Sequence, residues 1–350
     1  MSATEIKRTA QKKCNMDTDD WKGDGYMSEW SRYIQAIVDQ IDCCIKTEDD
    51  EKMTLTALSE RLGYSEYYTS RMFRDISGMT LKDYVRLRKL AYALKEVRDT
   101  KERILNIAIR YGFSSNEAFT RAFRETYGVS PSEYRRNPIP VALRTIIRPF
   151  DCYLMEGAMK DMNQKQSNKD VKVYFVKIPA HKFLHIRNYE SIGYWDFWQK
   201  QARIPGQDCE TICGLLDSIK GKLDDIGGSE ENAGSGQLMA WINEPTGRIC
   251  SWGIPLAEAY GVRLPADYDG TIPEQMQLMD VAEGEYIVFE HGPFDFETEG
   301  RDVEAKIEAA MKDFDYDASG YKLDFTPERV FYFYHDCKRF FKYVRPVIKK

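Results

Sequence analysis

The sequence predicts an all-α N-terminal domain with two helix-turn-helix motifs, followed by an α+β C-terminal domain built from a duplicated strand-helix-strand-strand unit. Three observations predict it. First, Gly63-Tyr64-Ser65 through Phe73, Gly78 and Tyr84 recurs as Gly112-Phe113-Ser114-Ser115 through Phe123, Gly128 and Tyr134. The pairs Arg71/Arg121, Phe73/Phe123, Gly78/Gly128 and Tyr84/Tyr134 are each 50 residues apart, a register that marks a repeated supersecondary unit. Second, the chain of 350 residues is acidic, net −6, yet residues 61–136 carry 16 Lys/Arg against 9 Asp/Glu, a net of +7. Third, from about Val171 onward short β-rich runs and large aromatics replace the helical spacing. The length suits two or three domains, each able to bury a core.

The elements follow in order. Residues 1–27 are polar, without apolar periodicity, and read as a disordered leader. Glu29 to Ile45 reads as a helix with Ile34, Ile37, Val38 and Ile41 on its dry side. Each copy of the repeat then opens with an apolar run at helical spacing, Leu55, Leu58 and Leu62 or Ile104, Ile107 and Tyr111. A glycine follows, where the chain turns without a Cβ penalty. Ser65 or Ser114 stands where a hydroxyl caps the next helix. That second helix is amphipathic: Met72 and Phe73, or Phe119 and Phe123, point to a core. Tyr67, Ser70 and Arg71, or Asn116, Glu117, Thr120 and Arg121, point outward. A short helix with one dry side and one hydrogen-bonding side fits a major groove.

Leu81 to Arg98 contains no Gly or Pro and reads as one helix about 27 Å long. Its Arg86, Arg88 and Lys89 are open to three readings: a solvated face, phosphate contacts or internal salt bridges. Asn137-Pro138-Ile139-Pro140 ends the domain, since two prolines cannot continue a helix. Residues 138–170 form the link, with Asn163 to Asp170 its polar part.

The most specific portion, Ile107-Ala108-Ile109-Arg110-Tyr111-Gly112-Phe113-Ser114-Ser115 through Gly128-Val129-Ser130-Pro131-Ser132-Glu133-Tyr134-Arg135, closely resembles the AraC/XylS family of bacterial transcription regulators. The resemblance covers residues 28–137, about a third of the chain. In the first copy Ser59 stands where the second has Ala108. The resemblance implies that the Leu81–Arg98 helix holds two readers in successive major grooves of an operator, about 34 Å per turn apart. It also implies double-stranded DNA as a partner and RNA polymerase as a further candidate one.

In residues 171–350, Val171–Val176, Lys182–Arg187, Leu238–Ile242, Tyr286–His291, Arg329–Tyr334 and Lys342–Pro346 read as strands. Tyr194–Arg203 and Arg301–Phe314 read as helices, and Gly227 to Gly236 as a flexible loop. The run Ala282-Glu283-Gly284-Glu285-Tyr286-Ile287-Val288-Phe289-Glu290-His291-Gly292-Pro293-Phe294 and the closing Tyr343-Val344-Arg345-Pro346-Val347-Ile348 resemble the GyrI-like small-molecule-binding domain. An N-terminal AraC-type reader with this domain behind it is the Rob-like arrangement. The resemblance implies an aromatic cleft for a small-molecule effector, with Trp195, Trp198, Trp241, Phe289, Glu290, Tyr332 and Tyr334 as candidate lining. Drug-binding members pair a buried carboxylate with a cation. Here the expected position reads Phe331-Tyr332-Phe333-Tyr334, and Tyr332 takes the place of the acid, a departure that counts against lipophilic cations and leaves a cation over aromatic rings, an aromatic ligand and an anionic ligand open.

Other classes are weaker. No apolar run approaches twenty residues, so a membrane partner and a signal peptide are not expected and the location is cytoplasmic. Eight scattered cysteines suggest reduced thiols at packed positions, Cys43-Cys44 and Cys209-x-x-x-Cys213 included. His181 and His185 share a strand face too far apart for a metal, so neither metal nor cofactor is implied. No ordered nucleophile-base pair marks an enzyme. The alternatives are a hydrolase using Glu290, His291 and Tyr332 on a small electrophile, or a docking module without ligand. Two readers in one chain permit binding as a monomer, and a homodimer is equally compatible.

Overall fold

Ile34, Ile37, Val38 and Ile41 give the first helix, α1 (Asp24–Thr47), a dry stripe, and all four are buried in the computed structural model. The structure describes residues 24–143, 171–223, 236–249, 255–294, 296–336 and 340–350. Most of the expected leader, residues 1–23, lies outside them. So do most of the link, residues 144–170, and most of the Gly227–Gly236 loop. The helix starts at Asp24, so residues 24–27 are helical where a disordered leader was expected. The chain divides into two compact units, Met1–Asp151 and Cys152–Lys350.

In the first unit, α2 (Leu55–Leu62) and α3 (Glu66–Ser77) flank Gly63, and α5 (Ile104–Arg110) and α6 (Asn116–Tyr127) flank Gly112. Both glycines take positive φ, 74° and 78°, which side-chain-bearing residues rarely adopt. Between the pairs runs α4 (Leu81–Asp99), about 28 Å of helix, and α7 (Pro131–Arg136) follows the second. The repeat extends to packing. Phe73 meets Tyr84 with ring centroids 5.4 Å apart, and Phe123 meets Tyr134 at 6.0 Å. All four rings are fully buried in the core these helices share.

The second unit is a nine-stranded antiparallel sheet with helices α8 (Tyr194–Gln201), α9 (Cys209–Ser218), α10 (Phe296–Asp313) and α11 (Tyr316–Ser319). Its strands are β1 (Lys172–Ile178), β2 (His181–Asn188), β3 (Gln237–Ile249), β4 (Pro255–Pro265), β5 (Gln277–Val281), β6 (Gly284–His291), β7 (Tyr321–Leu323), β8 (Val330–Asp336) and β9 (Phe340–Lys349). The order is β1-β6-β9-β8-β3-β4-β2-β5, with β7 beside β9. Exchanging β1 with β5, β2 with β6, β3 with β8 and β4 with β9 turns this order into its own reverse. Each half therefore lends its leading strand to the other, and the halves join where β3 meets β8. Sequence patterns missed β4, β5, β7, α9 and α11. The sheet's side chains alternate between two clusters. One packs Phe197 and Trp198 of α8, Ile212 and Leu216 of α9, and Val303 and Ile307 of α10 against the sheet. The other, on the opposite face, is made of strand residues.

Candidate nucleic-acid interface and effector cleft

Two hydroxyls set where the outward helices begin. Ser65 accepts from the Tyr68 N–H at 3.3 Å, and Ser115 from the Ala118 N–H at 3.1 Å. The second cap is thus Ser115 rather than Ser114: the turn after Gly112 is one residue longer than that after Gly63, which brings the two helices into the 50-residue register. Met72, Phe73, Phe119 and Phe123 face inward, fully buried. Tyr67 is 76% exposed, and Arg71, Asn116, Glu117 and Arg121 are exposed, with Ser70 and Thr120 half-buried beside them. Sequence reasoning passed over Arg74 and Arg124, one turn further along each helix and also exposed. Their signal was the helical spacing from Arg71 and Arg121.

Tyr67-Ser70-Arg71-Arg74 on α3 therefore matches Glu117-Thr120-Arg121-Arg124 on α6, position for position. On α6 this side, with Asn116 and Glu125, lines a shallow open depression. Arg71 lies 3.6 Å from Asp75, and Arg124 lies 3.4 Å from Glu133. Hydrogen bonds from its own N–H and from Ser115 hold the Glu117 carboxyl below its usual range, so it is an acceptor.

The strut cations divide. Arg88 is buried and forks onto Asp42, Nε to Oδ1 at 2.9 Å and Nη2 to Oδ2 at 2.6 Å. Burial opposes its charge, and the Asp42 carboxylate outweighs burial and keeps it protonated beyond the usual guanidinium value. Lys89 reaches Asp50 at 2.7 Å. Both are internal ion pairs tying α4 to the chain before α2. Arg86 is exposed, 3.8 Å from Asp83.

In the C-terminal unit the seven expected cleft residues do not form one lining. The Trp195 side chain lies outside what the structure describes. Trp198, Trp241 and Phe289 belong to the helix-covered face. Tyr332 and Tyr334 belong to the other. Glu290 is on that face too, beside the Tyr174 hydroxyl at 2.6 Å and the Lys342 ammonium at 3.3 Å. Burial would raise the Glu290 carboxyl, but Tyr174, Lys342 and Lys172 hold it below the usual range. The Tyr332 hydroxyl donates to His181 Nε2 at 2.5 Å, while His181 Nδ1–H donates to the Pro179 carbonyl at 2.8 Å. Burial pushes His181 down to about 4, so the ring is neutral. His291, next to Glu290 on β6, points to the opposite face. Glu290, His291 and Tyr332 are not assembled as acid and base.

The Phe331–Tyr334 run holds no acid, but a buried one stands elsewhere in the sheet, on β4. Glu258 is 3% exposed and pairs across the ladder with Trp241, on the helix-covered face. Its oxygens accept the Gly193 N–H at the start of α8, 2.8 and 3.0 Å, and Trp241 Nε1–H at 3.4 Å. Trp241 stacks on Tyr343 at 5.9 Å, and Trp198 meets Tyr260 edge-on at 4.8 Å. A carboxylate beneath one short helix, among aromatic rings, is an arrangement that suits an aromatic cation.

Among the described residues, no helix is long and apolar enough to cross a membrane, and no group of three or more His, Cys, Asp or Glu is placed to hold a metal. Comparison with known proteins bears on the first unit. A helix-turn-helix domain model matches residues 58–137. The TetD protein of transposon Tn10 from Escherichia coli is 41% identical over 108 residues, 31% of this chain and 78% of TetD. The regulatory protein SoxS of Escherichia coli K12 is 36% identical over 101 residues, 29% of this chain and 94% of SoxS. A solved transcriptional regulator with an AraC-type DNA-binding domain, from Chromobacterium violaceum, is 22% identical, covering 29% of this chain and 91% of its own at a TM-score of 0.27.

Proposed function

This chain belongs to the AraC/XylS family of DNA-binding transcription regulators, and from that membership we propose a two-groove reader governed by a small cationic effector. The reader is α3 and α6. Tyr67, Ser70 and Arg71 meet one half-site, and Asn116, Glu117, Thr120 and Arg121 the next, with α4 setting the spacing. Arg71 and Arg121 fork onto guanine O6 and N7 or onto phosphate. Glu117 accepts from a cytosine amino group. Arg74 and Arg124 extend both stripes toward the backbone. The single observation that carries this reading is the stripe repeated at 50 residues on two capped, exposed helices within the one segment of net positive charge.

The test is operator binding by the full chain. Arg71→Ala or Arg121→Ala should weaken specific binding by about 1–3 kcal/mol and relax preference at the contacted bases. Unchanged operator affinity in both variants removes the assignment.

The C-terminal unit, in this reading, is GyrI-like, and its cleft is the helix-covered face. Glu258 supplies the negative charge, and Trp241, Trp198 and Tyr343 supply the rings. Seating a cation against Glu258 competes with the Gly193 N–H, so ligand and the start of α8 are coupled, and occupancy shifts the population that binds DNA or activates transcription. The full chain with rhodamine 6G at 100 times its dissociation constant should gain about 2.7 kcal/mol of stability. Glu258→Gln should abolish the gain while an aromatic acid gives none. Equal stabilisation of Glu258→Gln, or stabilisation only by the acid, overturns the cation reading and leaves the DNA reading intact. The hydrolase alternative finds no support, because Glu290 and His291 face opposite ways and Tyr332 serves His181.

A further inference from the structure

Two thiols sit one turn apart at the start of α9. Cys209 is its first residue and is exposed, rather than packed as its sequence context suggested, and Cys213 is half-buried below it. Their Sγ atoms are 3.7 Å apart. Helical residues four apart hold their Cβ atoms about 5–6 Å from each other. A disulfide needs about 3.5–4.5 Å, so a direct S–S bond would distort this turn. A single atom bonded to both sulfurs would not: two bonds of about 2.3 Å hold the sulfurs about 3.3 Å apart at a pyramidal angle and about 3.8 Å apart at a tetrahedral one. A zinc ion has that bite but requires four ligands, and no third metal-ligating residue joins the pair among the described residues. What fits is a thiophilic centre satisfied by two sulfurs.

We propose that Cys209 and Cys213 form a binding site for trivalent arsenicals. With an organic arsenoxide, two As–S bonds form and the bonds from arsenic to oxygen break. The two thiol protons leave with that oxygen as water, and arsenic stays trivalent throughout, so no oxidant is required.

The site is wired to its surroundings. The Cys213 thiol lies 3.8 Å from the Tyr260 hydroxyl, which donates to Gln237 Oε1 at 3.1 Å. Gln237 Nε2 donates back to the Cys213 carbonyl at 2.9 Å, and the Tyr260 ring rests on Trp198. Loading the dithiol therefore pulls on the strand that carries Glu258. That consequence rests on the effector reading above, whereas the site itself does not.

The experiment is intact-mass analysis of the reduced full chain after phenylarsine oxide and a wash in excess glutathione. The wild type should keep one arsenical. Cys209→Ser, at an exposed position, should keep its melting curve and lose the adduct. One thiol forfeits the chelate, and retention should fall by about 10²–10⁴-fold. Cys213→Ala should do the same, and Cys43→Ser should retain the adduct. An adduct that survives in Cys209→Ser, or vanishes in Cys43→Ser, overturns the proposal. So does ready formation of a Cys209–Cys213 disulfide under mild peroxide with the helix intact, because a direct bond would then fit.

Discussion

Replacing Arg88 by alanine separates a structural cation from a DNA-binding one. The guanidinium makes two bonds to Asp42, and the two side chains are 8% and 14% exposed. Breaking a buried pair by removing one partner costs about 3–5 kcal/mol, since it strands the other charge. Asp42 keeps one donor, the Tyr92 hydroxyl at 3.0 Å, which places the loss near the low end, about 3 kcal/mol. In a helical unit of this size that lowers the midpoint of melting by roughly 10 °C or more. The assay is thermal unfolding followed by helical circular dichroism, paired with operator titrations at several salt concentrations. Arg88→Ala should melt early while the slope of log affinity against log salt stays as in the wild type. An unchanged melting curve with a slope shallower by about one would refute the reasoning, for it would make Arg88 a phosphate contact.

Acid should loosen the second unit. Burial lowers His181 and His185 to about 4, against roughly 6.5 in the unfolded chain, so below pH 6.5 the unfolded state binds protons that the folded state refuses. Stability should fall from about pH 6.5 towards pH 4, by about 2 kcal/mol for each ring at pH 5. Urea midpoints at pH 7.5 and 5 check it, and a His181→Asn, His185→Asn chain with an undiminished pH dependence contradicts it. Ser115→Ala should cost about 1 kcal/mol through loss of the α6 cap, whereas Ser114→Ala should leave the midpoint unchanged. The reverse result would move the cap back to Ser114.

The N-terminal unit was legible because its signals are local. A glycine at positive φ, a serine cap and a buried aromatic each act within a few turns, and Ser65, Phe73 and Gly78 all recur 50 residues on as Ser115, Phe123 and Gly128. The Ser115 cap escaped because two serines stand together, and only backbone geometry decides which one begins the helix. The C-terminal unit is governed by partners far away in sequence. β4, Pro-Leu-Ala-Glu-Ala-Tyr-Gly-Val-Arg-Leu-Pro, is buried on both faces and carries small residues. At Gly261 a Cβ would stand 2.0 Å from the Leu184 carbonyl oxygen, so the tight fit to β2 excludes the branched residues that announce a strand. A strand of that composition shows no alternation to read.

The same long-range origin explains why the candidate lining residues fall on two faces of the sheet. Period-two alternation already implies that Tyr332 and Tyr334 face one way and Phe331 and Phe333 the other. It does not say which side the helices cover, and that depends on Phe197, Ile212 and Val303 docking on one face. The acid was sought near the end of the chain, in the second half of the sheet. The acid proposed above stands on β4, which the exchange of halves makes the counterpart of β9. Glu258 is paired with Trp241 on β3 as Tyr343 is paired with Phe333 on β8. Each half thus places one polar group beside a large ring of its neighbouring strand, and both groups lie on the helix-covered side. The two halves meet at β3 and β8, and Trp241 stacking on Tyr343 joins them there. A carboxylate in one half and a phenol in the other make this face of the sheet asymmetric, and under the proposed effector reading that asymmetry gives a single cation one preferred seat, against Glu258.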